Sequence, residues 1–121
     1  MIEIDGSHGE GGGQLVRNAA ALAAVTGKPA RVSNIRARRP NPGLAAQHVT
    51  ALQALAAVSG ATIEGLQPGS RQIVVTPGTL RGGRHRFDVG TAGSVTLVLQ
   101  ACLPAALRAP EPTELTLIGG T

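Results

Sequence analysis

The chain has 121 residues with one Phe and no Trp or Tyr, which argues against the base-stacking surfaces of sequence-specific RNA binders. A net charge of +4, carried by ten arginines and the single Lys28, favours an anionic partner, and arginine suits bidentate phosphate contacts. Cys102 is alone in an apolar stretch, which excludes an internal disulfide, and no basic leader or membrane-length apolar run stands in the sequence, so a soluble, cytoplasmic protein is expected.

A chain of this length suffices for one ordinary domain, with a core built from Leu, Val, Ile and abundant Ala. High-GC coding also enriches Ala, Gly, Arg and Pro, so the clustering of the arginines is more informative than their number. Residues 2–5 predict a short strand. The run His8-Gly9-Glu10-Gly11-Gly12-Gly13-Gln14 follows it and opens a helix over 14–26, where Leu15, Ala19, Leu22 and Ala23 recur at helical spacing and Gly27 supplies a stop. So much glycine serves positive φ or close approach of the backbone to another group. A glycine loop at a helix start suits an anion, because free N–H groups and the helix dipole both favour negative charge. Glu10 alone would repel a phosphate there, unless a metal ion or an arginine mediates. Arg17, in the first turn of the helix, can face the same space. The pattern is neither a P-loop nor a Rossmann fingerprint, and a tight turn with a surface salt bridge also explains it.

Residues 30–36 predict a strand. Arg38-Arg39-Pro40-Asn41-Pro42-Gly43 excludes regular structure, since each proline restricts its predecessor. Asn41 is expected to cap the next helix with Pro42 at its first position, and that helix runs to about Ser59, where Gly60 stops it. Arg36, Arg38 and Arg39 lie just ahead of Gln47 and His48. If the two strand-to-helix loops leave one edge of a sheet, glycine loop and arginine cluster share a cleft. A solvated arginine loop is the alternative. Strands over 61–65 and 71–76 complete the order βαβαββ near Pro77.

The basic segment 81–86 is expected to be a flexible turn, able to touch RNA backbone by charge alone. Phe87-Asp88-Val89 predicts a strand and Gly90-Thr91-Ala92-Gly93-Ser94 a small-residue loop, either an anion-binding helix start or simply an N-cap by Ser94. A helix over 94–107, bearing Gln100, and a strand over 113–118 follow. Strand, Asp, glycine loop and helix thus recur at an offset of roughly 80 residues, as a repeated unit would, with two βα crossovers in one sheet as the alternative. The expected organisation is a first βαβαββ unit over 1–80 and an incomplete second βαβ unit over 81–121, in an α+β chain expected to be the N-terminal part of something larger or to be completed by a second chain.

At these residues the chain resembles the N-terminal part of the RNA 3′-terminal phosphate cyclases. The resemblance is carried by Asp5-Gly6, Gly9 to Gln14, Arg17, Ile35-Arg36, Arg39, Pro42-Gly43-Leu44 and Gln47-His48. It continues through Gly60-Ala61-Thr62, Pro77-Gly78, Arg81-Gly82-Gly83, Ala92-Gly93-Ser94, Thr96 to Gln100 and Gly119-Gly120-Thr121. It implies a two-layer fold of repeated βαβαββ units, shared with the C-terminal domain of translation initiation factor 3 and related to enolpyruvyl transferases. The implied reaction uses ATP to convert an RNA 3′-phosphate to a 2′,3′-cyclic phosphate through an adenylylated histidine. By the same resemblance Glu10 is the ligand of a divalent metal, Mg²⁺ or Mn²⁺, on the triphosphate. Arg17, Arg36 and Arg39 contact triphosphate or RNA phosphate, Gln47 and His48 add nucleotide-site contacts, and Gln100 lies on the nucleotide side.

The partners implied are ATP, RNA 3′-phosphate ends and the remainder of the cyclase polypeptide, with no membrane. Arg38 and Asn41 depart from the family's small and basic residues at their positions. None of His8, His48 and His85 matches the family's nucleophilic histidine, which is expected beyond residue 121, so the chain alone is expected to be inactive. A cyclase-like scaffold in ribosome assembly and an enolpyruvyl-transferase relative remain the alternatives.

Overall fold

The computed structural model describes residues 1–9 and 12–120, with the side chains of 91–93 and 120 left aside. Its order is β1 (Ile2–Asp5), α1 (Gly13–Thr26), β2 (Ala30–Ser33), α2 (Ala46–Ser59), β3 (Thr62–Glu64), β4 (Ile73–Thr76), β5 (Gly83–Thr91), α3 (Ala92–Arg108) and β6 (Thr113–Gly120). The fold is mixed α+β. A four-stranded sheet runs β1-β2-β4-β3, and β5 pairs with β6 in a two-stranded sheet.

In the larger sheet β1 and β2 are parallel, with Ile2 opposite Ala30 and Asp5 opposite Ser33. β4 runs antiparallel to β2 on one side and to β3 on the other. The parallel pair therefore delivers the β1–α1 and β2–α2 loops to the same sheet edge. β2 and β4 bury alternate residues, Ala30 and Val32 against Ile73 and Val75, on the face covered by the helices.

α1 and α2 pack on that sheet, and α3 packs on both helices and on β5 and β6. α1 is alanine-rich, and Ala19, Ala20, Ala23 and Ala24 are all buried, so small side chains let its backbone lie close to its neighbours. Leu22, expected on the helical apolar stripe, is instead exposed and borders an apolar groove beside edge strand β1. α2 is apolar around most of its circumference because it has partners on several sides; Val49, Leu52, Leu55 and Val58 are buried. Cys102 is buried, and desolvation pushes its thiol up to about 12, so it behaves as a small hydrophobe.

Several local expectations give way to tertiary contacts. The strand expected over 30–36 ends at Ser33, because Asn34 and Arg36 adopt left-handed backbone (φ 53° and 49°) that cannot continue a ladder. α2 starts at Ala46 rather than behind Asn41-Pro42. The intervening Gly43 N–H donates to the Ile35 carbonyl, Leu44 N–H to that of Ser70, and Gly69 N–H to that of Leu44, holding the segment extended against the β3–β4 connection. Residues 83–86 are not a flexible turn: parallel pairing with Thr113 to Thr116 makes them the first half of β5. The strand expected at 87–89 accordingly spans 83–91, and β6 extends to residue 120. The loop expected over 90–94 is absent, since β5 leads directly into α3, and Ser94 lies inside the helix rather than at its N-cap. Pro104 is carried within α3 at an exposed position.

Candidate phosphate site at the loop edge

The shared edge of β1 and β2 gathers five of the seven residues singled out in the sequence. α1 begins at Gly13 behind its N-cap Gly12, with no side-chain cap among the described residues and no acidic residue in its first turn, an arrangement suited to an anion. Arg17 lies on the buried side of that helix, only 8% exposed. Desolvation pushes its guanidinium below the usual arginine value. Among the described residues the ion pairs are Arg31–Glu3 and Arg84–Glu114, so Arg17 has no carboxylate partner there.

From the second loop, Arg36 donates through Nη1 to the Gly43 carbonyl at 2.7 Å, which ties its guanidinium across the loop. Arg39 reaches back to the glycine loop: its Nη2 is 3.0 Å from where a Cβ on Gly12 would stand. Arg38 and Gln47 are exposed, Gln47 in the first turn of α2.

His48 joins the two loops. Its Nδ1 accepts the Ala45 N–H at 3.2 Å, so the side chain caps the start of its own helix. With Nδ1 occupied as an acceptor, the neutral ring carries its proton on Nε2. That edge of the ring is pressed against Gly13, where any side-chain carbon would overlap the imidazole. The glycine at the helix start is thus required by the histidine behind it, not only by a ligand in front.

Burial first, then the positive charges of Arg17 and Arg36, hold His48 down to about 4. His48 is therefore neutral at pH 7 and able to donate from Nε2. In the unfolded chain it takes a proton near pH 6.5, while the folded chain resists protonation until about pH 4. Its contribution to stability is thus complete above pH 6.5 and is lost as the pH falls from 6.5 to 4. The expected loss is about 2–3 kcal/mol over that window. Thermal melts across it should show His48→Asn flattening the acid limb; an unchanged limb would contradict the assignment.

The remaining two residues are placed differently. Glu10, with Gly11, lies outside the described residues. Gln100 is exposed on α3, and no hydrogen bond joins it to the loop-edge cluster. The other two histidines are elsewhere: His8 is exposed in the glycine loop, and His85 stacks on Phe87 in β5 with ring centroids 6.2 Å apart. Sequence reasoning gave no site role to Asp5 or Asn34, whose side chains meet at the base of the cluster. An Asp at a strand end before Gly was the available signal.

Among the described residues no group of three His, Cys, Asp or Glu side chains is placed to hold a metal. The cluster is cationic, with arginine guanidiniums beside a neutral imidazole and the N-terminus of α1, and this donor set suits phosphate oxygens. No helix among the described residues is long and apolar enough to cross a membrane.

Comparison with known proteins bears on the same residues. A family model described as RNA 3′-terminal phosphate cyclase matches residues 8–121. A protein of Nitrosospira multiformis named RNA 3′-terminal phosphate cyclase is 59% identical over all 121 residues, which cover 34% of its length. Proteins of the same name from Ignicoccus hospitalis and Pyrococcus furiosus are 60% and 54% identical over the whole chain, covering 34% and 35% of theirs. The chain thus spans about a third of the length of the curated relatives it matches.

Proposed function

The chain belongs to the RNA 3′-terminal phosphate cyclase family, and from that premise we propose that it supplies the triphosphate-binding portion of an ATP-dependent enzyme that closes RNA 3′-phosphate ends into 2′,3′-cyclic phosphates. The observation that carries this reading is the buried Arg17, which has no carboxylate partner among the described residues and shares the loop edge with Arg36, Arg39 and neutral His48. Phosphate oxygens answer that arrangement: Arg17 and Arg39 offset their charge, the N–H groups at the start of α1 donate to them along the helix dipole, and neutral His48 backs the glycine loop at Gly13. Arg36, tied to the Gly43 carbonyl, orients the loop and adds positive field.

Glu10, as the family resemblance implies, would hold a divalent ion, Mg²⁺ or Mn²⁺. When bound it neutralises phosphate charge and relieves the repulsion between Glu10 and the triphosphate. None of the three histidines is assigned as the adenylylated nucleophile. His48 is occupied at Nδ1 and packed at Nε2, His85 is stacked within a sheet, and His8 is exposed in the glycine loop. We assign that role to the part of the polypeptide that this chain does not span, so the chain alone binds nucleotide without turnover.

We further take β1 to β4 with α1 and α2, residues 1–80, as one βαβαββ unit. β5-α3-β6, within 81–121, is the opening of a second. Both β1-α1-β2 and β5-α3-β6 are parallel βαβ crossovers, which supports this division. Gln100 on α3 then belongs to the nucleotide side. We take the protein to work in the cytoplasm, and the buried free thiol of Cys102 is in keeping with a reducing compartment.

Isothermal titration of the chain with Mg-ATP tests the reading. Binding is expected, weakened in Arg39→Ala and no longer dependent on the divalent ion in Glu10→Ala. Heats indistinguishable from dilution would sink it and favour a non-catalytic scaffold.

A further inference from the structure

We infer that Asp5 and Asn34 are positioning residues that clasp the glycine loop to the arginine loop and so set the spacing of the proposed phosphate contacts. This rests on the phosphate-site reading above. The parallel ladder of β1 and β2 ends at the pair Asp5–Ser33, where both loops depart. There the Asp5 carboxylate reaches in two directions through a single oxygen. Oδ1 accepts Ser7 N–H at 2.9 Å and Ser7 Oγ–H at 2.6 Å from the glycine loop, and Asn34 Nδ2–H at 3.3 Å from the arginine loop. These bonds, those of Ser7 first, hold the Asp5 carboxyl below its ordinary value, so it stays an acceptor.

Gly6 closes the joint from the backbone side. Its N–H donates to the Ser33 carbonyl at 2.6 Å. A Cβ on Gly6 would stand 2.6 Å from that oxygen and 3.2 Å from Ile35 Cα, so only glycine allows this approach.

Asn34 is held in left-handed backbone (φ 53°), a conformation asparagine tolerates better than most residues. The next residue, Ile35, is 1% exposed and its N–H donates to the Arg71 carbonyl, so the far side of the joint is anchored in the core. Beyond it Arg36 is again left-handed, and the loop turns so that Arg39 comes back against Gly12. The clasp therefore sits at the base of both loops, and the arginine loop beyond it carries Arg36 and Arg39. Binding of a multiply charged ligand depends steeply on such spacing.

Asn34→Gly separates the clasp from backbone strain, because glycine keeps the left-handed conformation and removes only the amide. Asp5→Asn keeps an acceptor oxygen and serves as the rescue variant, with Asp5→Ala as its counterpart. Amide hydrogen exchange is followed at residues 7–9 and 12–15, and Mg-ATP affinity by titration. Asn34→Gly is expected to speed exchange in the glycine loop, which is distant from it in sequence, about tenfold, and to weaken Mg-ATP three- to tenfold. Asp5→Ala should do the same, and Asp5→Asn should stay near the unsubstituted chain.

Unchanged exchange at residues 7–9 and 12–15 in both Asn34→Gly and Asp5→Ala overturns the clasp, whatever the affinity. Faster exchange with unchanged affinity overturns the positioning role. Absence of Mg-ATP binding to the unsubstituted chain overturns the site itself, and this inference with it, and is recognised because it appears before any substitution is made.

Discussion

Arg17→Met is expected to lower affinity for Mg-ATP at least about tenfold while leaving the protein more stable by about 1 kcal/mol, or about 4 °C in melting temperature. Both effects come from one placement. Arg17 is 8% exposed at the start of α1, with no carboxylate beside it among the described residues. Its charge is desolvated with no compensating ion pair among the described residues, and its field lies against His48. Methionine fills a comparable volume without that penalty, so the apo protein gains. The bound state loses a charge-assisted contact in a water-poor position, where such contacts are strongest. A fall in melting temperature together with unchanged affinity would show that Arg17 is a structural residue. Arg17→Lys should recover part of the binding, since it restores the charge without the planar fork.

Leu52→Ala is expected to cost about 2–5 kcal/mol, against a total stability of about 5–15 kcal/mol for a domain of this size. Leu52 is fully buried on α2. That helix packs on α1, α3, β3 and β5, so no neighbour is free to collapse into the space left. The cavity term should therefore be near the upper end of its range. Urea unfolding should show a lower midpoint at an unchanged slope. Leu22→Ala, on the exposed outer side of α1, is the control and should change stability by no more than about 0.5 kcal/mol. Similar losses for the two variants would contradict the burial pattern.

How far the site was legible follows from the kind of signal each residue gave. Residue types in order along the chain were enough for the glycine loop, the arginine cluster and His48, because anion chemistry needs those types. The proximity of Gly13 to the His48 ring was not legible, since it depends on how α1 and α2 lie across the same sheet. Asp5 and Asn34 were missed for a related reason: each is an ordinary turn former in its own loop, and only parallel pairing of β1 with β2 makes them neighbours.

Residues read in order were enough for the order of strands and helices, the alanine-rich helices and the stops at Gly27 and Gly60, and they supplied the candidates proposed as phosphate contacts. These follow from local periodicity, capping chemistry and residue type. Tertiary structure alone decided where α2 begins, that residues 83–86 are strand, that Ser94 is helical rather than a cap, and that His48 is neutral. In each case a long-range partner outweighed the local preference. Backbone bonds to Ile35 and Ser70 overrode the Asn41-Pro42 cap, pairing with β6 straightened a basic Gly-rich segment, and burial beside two arginines moved a titration. Local preferences are worth about a kcal/mol each, and a fixed partner in a packed fold offsets that readily.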